Sequence, residues 1–251
     1  MPSTSANPMD LLYLDFTPPW SSWLRQIMTR LRTSTCATLR DRMDQWGDSR
    51  LSEIGLALTT KISTLGAVLR LFNGLMARLD ELLKTKTDQE LAELVRRHAA
   101  MSFPGREGDT LPYDILVAVD AFFYEFRSAY EILTQKFLPE FFQHAFDEKL
   151  DGDQVLAWLQ GRGVPTEWAR ELQRHRVLFF HHTAPWLALE IASWAPRRFE
   201  LVVLKKTLPS DAEDMIRRQE MEAIYRSFEA SFAPLQAFII ERIEAFERAN
   251  P

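Results

Sequence analysis

The sequence predicts an all-α protein built as a bundle of long helices, with room for a short two-stranded accessory. Apolar residues recur every three or four positions from Ile54 to Leu83 and from Ile115 to Leu133, and this spacing lines one face of an α-helix. Glycine is scarce, at 9 of 251 residues, while leucine, alanine, glutamate and arginine are abundant, which favours helices. The chain is 46% hydrophobic and 26% charged, a globular composition.

The first 19 residues are predicted to form an irregular arm, because proline, serine and threonine are frequent in them. Within residues 1–19, the segment Leu11–Phe16 is apolar enough to form a short strand or to lie against the core. The helical pattern begins at Trp20. Residues 20–251 are predicted to form a single helical domain, since they contain no internal repeat and no linker of convincing length.

The first long helix is predicted to begin at Asp48 or Ser49, because either side chain can cap it, and to continue through Leu83. Asp88 then begins a shorter helix that ends near Ala100. The longer helix covers roughly ten turns, a length typical of helix bundles.

A loop is predicted over residues 102–112, where two prolines, two glycines and several charges interrupt the helical pattern. The second long helix begins at Tyr113 and turns a broad apolar face toward the core. Pro139 is predicted to end or kink this helix, because proline lacks a backbone N–H and clashes with the preceding turn.

One strand is predicted, over Phe199–Leu204, because this segment is short, rich in β-branched residues and flanked by prolines. Its predicted partner is Leu11–Phe16, which gives the two-stranded accessory. Ser210 or Asp211 is then predicted to cap a final helix that ends near Ala249.

The charge and cysteine content limit the classes of function. The formal net charge is -5, so the chain lacks a global basic field, and any nucleic-acid binding requires a local patch. Cys36 is the only cysteine, which excludes an internal disulfide framework and a multi-cysteine zinc site. Residues 1–16 do not have the pattern of a signal peptide. No apolar run approaches about 20 residues, so the prediction is a cytoplasmic protein without a membrane segment.

The stretch Arg174–Trp186 carries the strongest functional signal. It holds three of the five histidines, His175, His181 and His182, together with two arginines, and it follows a predicted helix start at Glu167. An arginine beside a histidine suits a phosphodiester substrate, because guanidinium binds phosphate oxygens in a fork and imidazole exchanges protons near neutral pH. A ribose 2′-hydroxyl nucleophile would need no metal, which indicates RNA rather than DNA.

Helical geometry divides these side chains between faces. Residues seven apart return to nearly the same face, so Arg174 groups with His181, and His175 groups with His182. Arg176 lies five residues before His181, roughly 140° around a regular helix, and would share a site with it only if the helix distorts. Pro185, three residues after His182, permits such a distortion.

Two other interpretations of this stretch are open. Arginine and histidine lie near each other on many helices, so the pair can equally be a surface or capping feature. The second interpretation is a metal site, since Glu171 precedes His175 by four residues and both could bind one ion. The sequence offers no cysteine or second acidic ligand nearby to complete such a site. No metal or other cofactor is therefore predicted.

The segment Arg176–His181 resembles the R-x4-6-H signature of HEPN domains, a family of helical bundles that includes many metal-independent RNases. Arg174–His181 fits the same signature with the longer spacing. The family favours a polar residue directly after the arginine: His175 follows Arg174 and fits this preference, whereas Val177 follows Arg176 and departs from it. The helix over Asp120–Glu131 is similar to the long helix that precedes the motif in that family. The resemblance covers about residues 50–195.

The resemblance implies a homodimer in which two Arg/His sets form one composite endoribonuclease site. His181 would then transfer the proton, and Arg176 or Arg174 would clamp the phosphate as the catalytic arginine. Arg174, His175 and His182 are the expected substrate-binding residues, with RNA as the substrate. A regulatory, antitoxin-like protein partner is compatible with such a protein. The alternative is a non-catalytic helical interaction or scaffold protein in which the same residues are structural.

Overall fold

The fold is described from a computed structural model. It describes residues 18–46, 48–97, 101–102, 106–180, 186–204 and 214–250, with side chains outside 45–49, 106–109 and 176–180.

Helices make up most of the fold, at 76% of the structure, and a small antiparallel sheet accompanies them. The prediction of an all-α bundle with a short accessory is confirmed. The helices are α1 (Ser21–Arg32), α2 (Ala37–Trp46), α3 (Asp48–Lys84), α4 (Asp88–Arg96), α5 (Arg106–Glu131), α6 (Leu138–Phe146), α7 (Val155–Gln160), α8 (Glu167–Phe180) and α9 (Arg218–Ala249). The strands are β1 (Trp186–Trp194), β2 (Arg197–Leu204) and β3 (Met215–Arg217).

The two long helices α3 and α5 form the main antiparallel pair. The bounds of α3 match the prediction, and every third or fourth side chain, such as Leu58, Ile62 and Leu65, is fully buried. Across the pair, Lys61 Nζ lies 2.8 Å from Glu125 Oε2. This contact fixes how the two helices are aligned along their length.

The start of α5 corrects the predicted loop at 102–112. Residues 106–112 are helical, and Pro112 lies inside the helix. Leu111 is 1% exposed, so the first turns of α5 bury apolar surface. The free energy gained by burying Leu111 outweighs the cost of the backbone hydrogen bond that Pro112 cannot donate.

The predicted break at Pro139 takes the form of a change in helix type. A π-helical segment over Ile132–Phe137 joins α5 to α6, and Pro139 occupies the start of α6. A π turn absorbs a local irregularity in the hydrogen-bond ladder without ending the rod. Helix α6 ends at Phe146, and the next residue, Asp147, adopts a left-handed conformation with φ 58°.

Aromatic side chains from distant parts of the chain form the centre of the core. The Trp23 ring lies 5.3 Å from Phe232 and 5.6 Å from Phe137, and its Nε1 donates to the Phe232 carbonyl at 2.9 Å. Phe228 lies 4.8 Å from Phe126. These contacts join α1, α5, the π-helical segment and α9 around one apolar centre.

The sheet contains β2 in the middle, with β1 on one edge and β3 on the other, all antiparallel. The predicted strand Phe199–Leu204 is confirmed within β2. Its predicted pairing with Leu11–Phe16 is wrong over Val202–Leu204, because β1 and β3 occupy both edges there. Leu11–Phe16 itself lies outside the described residues. Among the described residues the accessory therefore has three strands.

The final helix begins later than the sequence predicts. Met215–Arg217 pairs with β2, so α9 starts at Arg218 rather than at Ser210 or Asp211, which lie outside the described residues. Its end at Ala249 is confirmed. Pro234 lies inside α9 and does not end it.

The stretch Arg50–Lys84 of α3 has the length and composition of a membrane span, because its most apolar 18 residues have a mean hydropathy of 1.3. Core helices of soluble proteins have the same properties, and on α3 Leu58, Ile62 and Leu65 are buried in the core. Only 33% of those 18 residues are buried, however. A large part of α3 therefore faces outward.

Glu247 connects the end of α9 to α1 and to the residues that join α1 to α2. Its carboxylate accepts hydrogen bonds from Arg30 Nη1 at 2.9 Å, Ser34 Oγ at 2.6 Å and the Thr35 backbone N–H at 3.2 Å. The Arg30 hydrogen bond, followed by the Ser34 hydrogen bond, lowers the pKa of Glu247 below its ordinary value of 4.5. The carboxylate is therefore held in its charged form.

We expect Glu247→Gln to lower the free energy of unfolding by about 1–2 kcal/mol at pH 7, because it removes a charged acceptor shared by several donors. Since the folded pKa is lowered, this stabilisation is complete above about pH 4.5 and is lost as the pH falls through the folded pKa. Denaturant unfolding at pH 7 and below pH 4 measures both effects. Glu241→Gln, at an exposed position of the same helix, is the matched control. Equal stability of wild type and Glu247→Gln at pH 7 would contradict this role.

Candidate functional site

Helix α8 carries the first residues of the motif, and its start at Glu167 is confirmed. Trp168 anchors it, because its ring lies 4.7 Å from Phe228 and 5.9 Å from Phe126. Its Nε1 also donates to the Pro165 carbonyl at 3.1 Å. These contacts fix α8 against both α5 and α9, and thereby decide which face of α8 turns outward.

The buried face of α8 includes His175. Trp168, Leu172 and His175 follow one another at four- and three-residue spacing and are 1%, 4% and 1% exposed. This is the spacing of a core-facing helix stripe. A substrate-binding role was expected for His175, but a side chain with 1% exposure in this fold does not reach a solvent-facing site.

Arg174 lies on the outward side of the same helix. Its side chain is 36% exposed, and its Nη1 lies 3.4 Å from Glu171 Oε2, one turn earlier. An ion pair of this length at the surface contributes little free energy. The guanidinium is therefore held loosely and can change partner.

Arg170 extends this outward side by one turn. It lies four residues before Arg174, and its side chain is 80% exposed. Its Nε is 3.5 Å from Glu171 Oε1, so one carboxylate lies between two guanidinium groups. The outward side of α8 thus presents two arginines and one glutamate.

The remaining motif residues are only partly described. Arg176 belongs to the backbone of α8, which extends to Phe180, and its side chain lies outside the described part. His181 and His182 also lie outside the described residues. The structure therefore places Arg174, His175 and Arg176 in the last turns of α8. Of these, the Arg174 side chain is exposed and the His175 side chain is buried.

A cleft that sequence reasoning did not find lies between the end of α3 and the sheet. Its cavity volume is about 670 Å³, and Asp80, Lys84, Arg198 and Glu200 are among its lining residues. Arg197 is fixed at its edge by the Asp88 carboxylate and by the Lys86 carbonyl at 2.7 Å. Charges of both signs line this cleft, so it does not offer the single-sign field that a phosphate chain selects.

A second cleft, of about 500 Å³, lies along the outer side of α1. Arg25 and Arg30 are among its lining residues, with Ile240 of α9 as an apolar wall. Arg30 is already held by Glu247. The sequence alone does not predict this cleft, because it forms only where α9 packs beside α1.

Within the described part of the chain, no group of three or more His, Cys, Asp or Glu side chains is arranged to share a metal ion. Comparisons of this chain with protein-family models, with curated proteins and with solved structures found no match. The likeness to HEPN domains therefore depends on the motif and on the helix that precedes it.

We expect His175→Ala to lower the free energy of unfolding by about 2–3 kcal/mol, because it empties a core position between α8 and its neighbours. Arg174→Ala, on the exposed side of the same turn, is expected to change it by about 0.5 kcal/mol or less. Thermal and denaturant unfolding of both variants measure the difference. A His175→Ala protein that stays as stable as Arg174→Ala while losing RNA affinity would restore the substrate-binding prediction.

Proposed function

We propose that this chain is a HEPN-like, metal-independent endoribonuclease with a composite Arg/His site at a homodimer interface. His181 transfers the proton and Arg176 is the catalytic clamp, with Arg174 as its competitor for that role. Arg174 and His182 contact the RNA substrate. The protein acts in the cytoplasm, without a cofactor, and a regulatory partner of the antitoxin type would restrain it.

The observation that carries this proposal is the exposure of Arg174 beside a buried His175. The packing of α8 leaves an arginine with a weak ion pair on the solvent side, one to two turns before the end of the helix at Phe180. Position 181 is seven residues after Arg174, the spacing that returns to the same side of a continuous helix. An Arg/His pair open to a substrate is thus consistent with how α8 is anchored.

The proposed reaction is a transesterification of the RNA backbone, and its proton transfers need only histidine side chains, without a metal. The imidazole of His181 takes the proton of a ribose 2′-hydroxyl, and the 2′-oxygen attacks the adjacent phosphorus. The bond from phosphorus to the 5′-oxygen breaks, which leaves a 2′,3′-cyclic phosphate. The departing 5′-oxygen takes a proton from the protonated His181 of the second copy. Arginine stabilises the negative charge that develops on the phosphate oxygens.

The local charge around Arg174 supports phosphate binding despite the net charge of -5. Arg170 and Arg174 lie one turn apart on the outward side of α8, so both can contact one phosphate chain. Glu171 between them is a competing anion, and a phosphate would have to displace it. Affinity is therefore expected to fall steeply with salt.

The test is cleavage of a labelled single-stranded RNA in excess EDTA. Wild type is expected to produce 2′,3′-cyclic phosphate ends, and His181→Ala is expected to reduce the rate about 100-fold or more. Arg174→Ala and Arg176→Ala identify the clamp by which one reduces the rate more. Arg226→Ala, a 78% exposed arginine on α9, is the matched control. No cleavage by wild type, or equal cleavage by wild type and His181→Ala, would contradict the proposal.

A second candidate is a non-catalytic helical interaction or scaffold protein. The observation that favours it is the cluster of exposed apolar side chains on α3 and α5, with Leu71 57% and Val117 67% exposed. Under this alternative, His181→Ala lowers stability and leaves the RNA unchanged. The unfolding of His181→Ala, measured beside the cleavage assay, separates the two candidates.

A further inference from the structure

Helix α3 carries an outward seam at the spacing of a coiled coil. From Glu53 to Arg78 its outward positions alternate steps of four and three residues, which keeps one side of the helix facing a partner. The side chains along this seam are small or uncharged between the two ends, and none of these positions is buried. Such a seam allows a second helix to approach closely.

Helix α5 adds large apolar side chains next to this seam. Tyr113 is 71%, Val117 67% and Tyr124 56% exposed, and the seam residue Leu71 is 57% exposed. With Leu56 at 49%, these are five of the eight strongly exposed large hydrophobic side chains among the described residues. The outward sides of α3 and α5 together are called the α3–α5 face. On α5 the exposed Asp120 lies between Val117 and Tyr124, and the rest of this set is apolar. A largely apolar surface of this kind indicates an interaction site.

The alignment of the two helices shows that this face has a common midpoint. Lys61 contacts Glu125 at 2.8 Å and also lies over the Tyr124 ring, 5.6 Å from its centroid. Because the helices are antiparallel, counting from this contact places the point between Leu65 and Gly66 level with the point between Asp120 and Ala121.

The seam of α3 is self-complementary about that midpoint. An antiparallel copy related by a two-fold axis there pairs Thr60 with Leu71 and Thr64 with Ala67, and it pairs Ala57 with Gly74. Each pair contains a small side chain, so the helices can pack closely. Around Gly74 no atom lies within 4 Å of an added Cβ, which leaves the space that Ala57 of the other copy needs.

The same axis relates the outward residues of α5. It brings Asp120 of the two copies near each other, and this like-charge contact offsets part of the stabilisation from the apolar contacts. Val117 and Tyr124 lie at equal distances on either side of the α5 midpoint, so each would meet the other residue type in the second copy. Thr64, near the axis, already donates its hydroxyl to the Thr60 carbonyl at 3.0 Å. It can therefore be covered by a second copy without loss of its hydrogen bond.

Charge at the ends of the seam selects the antiparallel orientation. Glu53 and Arg78 are both exposed, and the two-fold axis brings Glu53 of each copy opposite Arg78 of the other. A parallel arrangement would instead place Glu53 against Glu53 and Arg78 against Arg78. Opposite charges at the rim of an apolar seam are a common means of fixing helix orientation.

We propose that the α3–α5 face binds a second copy of this chain, with α3 antiparallel to α3 and α5 antiparallel to α5. The two helices of each copy then pack face to face as two layers, related by a two-fold axis that passes between Leu65 and Gly66 of each α3. Residues 53–78 of α3 span about 39 Å, and two helices side by side are about 20 Å wide. The interface is then about 800 Å² per copy, the size of a standard stable interface. The α3–α5 face lies on the other side of α5 from α8, so this contact is separate from the α8 interface of the proposed composite site, and it does not depend on whether the chain cleaves RNA.

The first test is the mass of the purified full chain in solution, by light scattering across micromolar concentrations. Wild type is expected at twice the chain mass of 29.2 kDa when only this face pairs, and at four times that mass when the α8 interface of the proposed composite site forms as well. Leu71→Glu and Val117→Glu are expected to weaken the dimer at least tenfold, because each buries an unpaired charge. Both positions are exposed in the monomer, so the fold should be retained. Val95→Glu, at a 54% exposed apolar position on α4, is the matched control and should remain dimeric.

The second test reverses charges. Glu53→Arg alone and Arg78→Glu alone are each expected to weaken the dimer, and the double variant is expected to recover it, because the antiparallel pairs are restored with opposite sign. A wild-type monomer at 100 µM, or a dimer unaffected by Leu71→Glu, would overturn the proposal. If that monomer bound phosphatidylcholine vesicles, the face would be assigned to a lipid surface instead.

Discussion

The packing of Trp168 and Phe228 between α5, α8 and α9 is the constraint on which the rest of the structure depends. The Trp168 ring centroid lies 5.9 Å from that of Phe126 and 4.7 Å from that of Phe228. Phe228 in turn packs against Phe232, and Phe232 packs against Trp23. Each ring buries a large apolar surface, and the tilted or edge-on geometries are those that aromatic pairs favour. Helices far apart in sequence are thereby fixed around one centre.

This packing determines what the motif helix can do. Once Trp168 and Leu172 are buried, helical spacing takes His175 into the core and leaves Arg174 at the surface. Two adjacent motif residues therefore have different surroundings, His175 in the core and Arg174 at the surface. On the other side of α5, the same orientation turns Val117 and Tyr124 away from the core, which creates the α3–α5 face. Core packing thus positions both candidate surfaces.

Elements with a long, regular apolar period could be predicted from the sequence. The bounds of α3 and the start of α8 follow directly from spacing and capping residues. The start of α5 could not be predicted, because Pro112 and the glycines before it are local signals, whereas the burial of Leu111 is a tertiary effect. The short strand β3 is missed for the same reason, since three residues carry no period of their own.

The candidate site was predictable only as a set of residue types. Arg174 and His175 both fit the motif, and the sequence alone gives no direction in which α8 faces its neighbours. The partners of β2 likewise depend on which segments reach it. In the sequence β1 is an apolar run between Pro185 and Pro196, and nothing in that run identifies β2 as its neighbour. The outward side of α3 follows from the buried positions Leu58, Ile62 and Leu65, but the helix that lies beside it is shown only by the contact between Lys61 and Glu125.

The central structural claim is that two copies meet antiparallel across the α3–α5 face. It is tested most directly by a spin-label distance measurement with one label per chain at position 81, in a Glu81→Cys, Cys36→Ala background. Antiparallel α3 helices with the proposed axis place the two labels about 45–50 Å apart along the helix direction. A separation of about 10–20 Å, as parallel helices would give, or no intermolecular coupling at 100 µM, would contradict it.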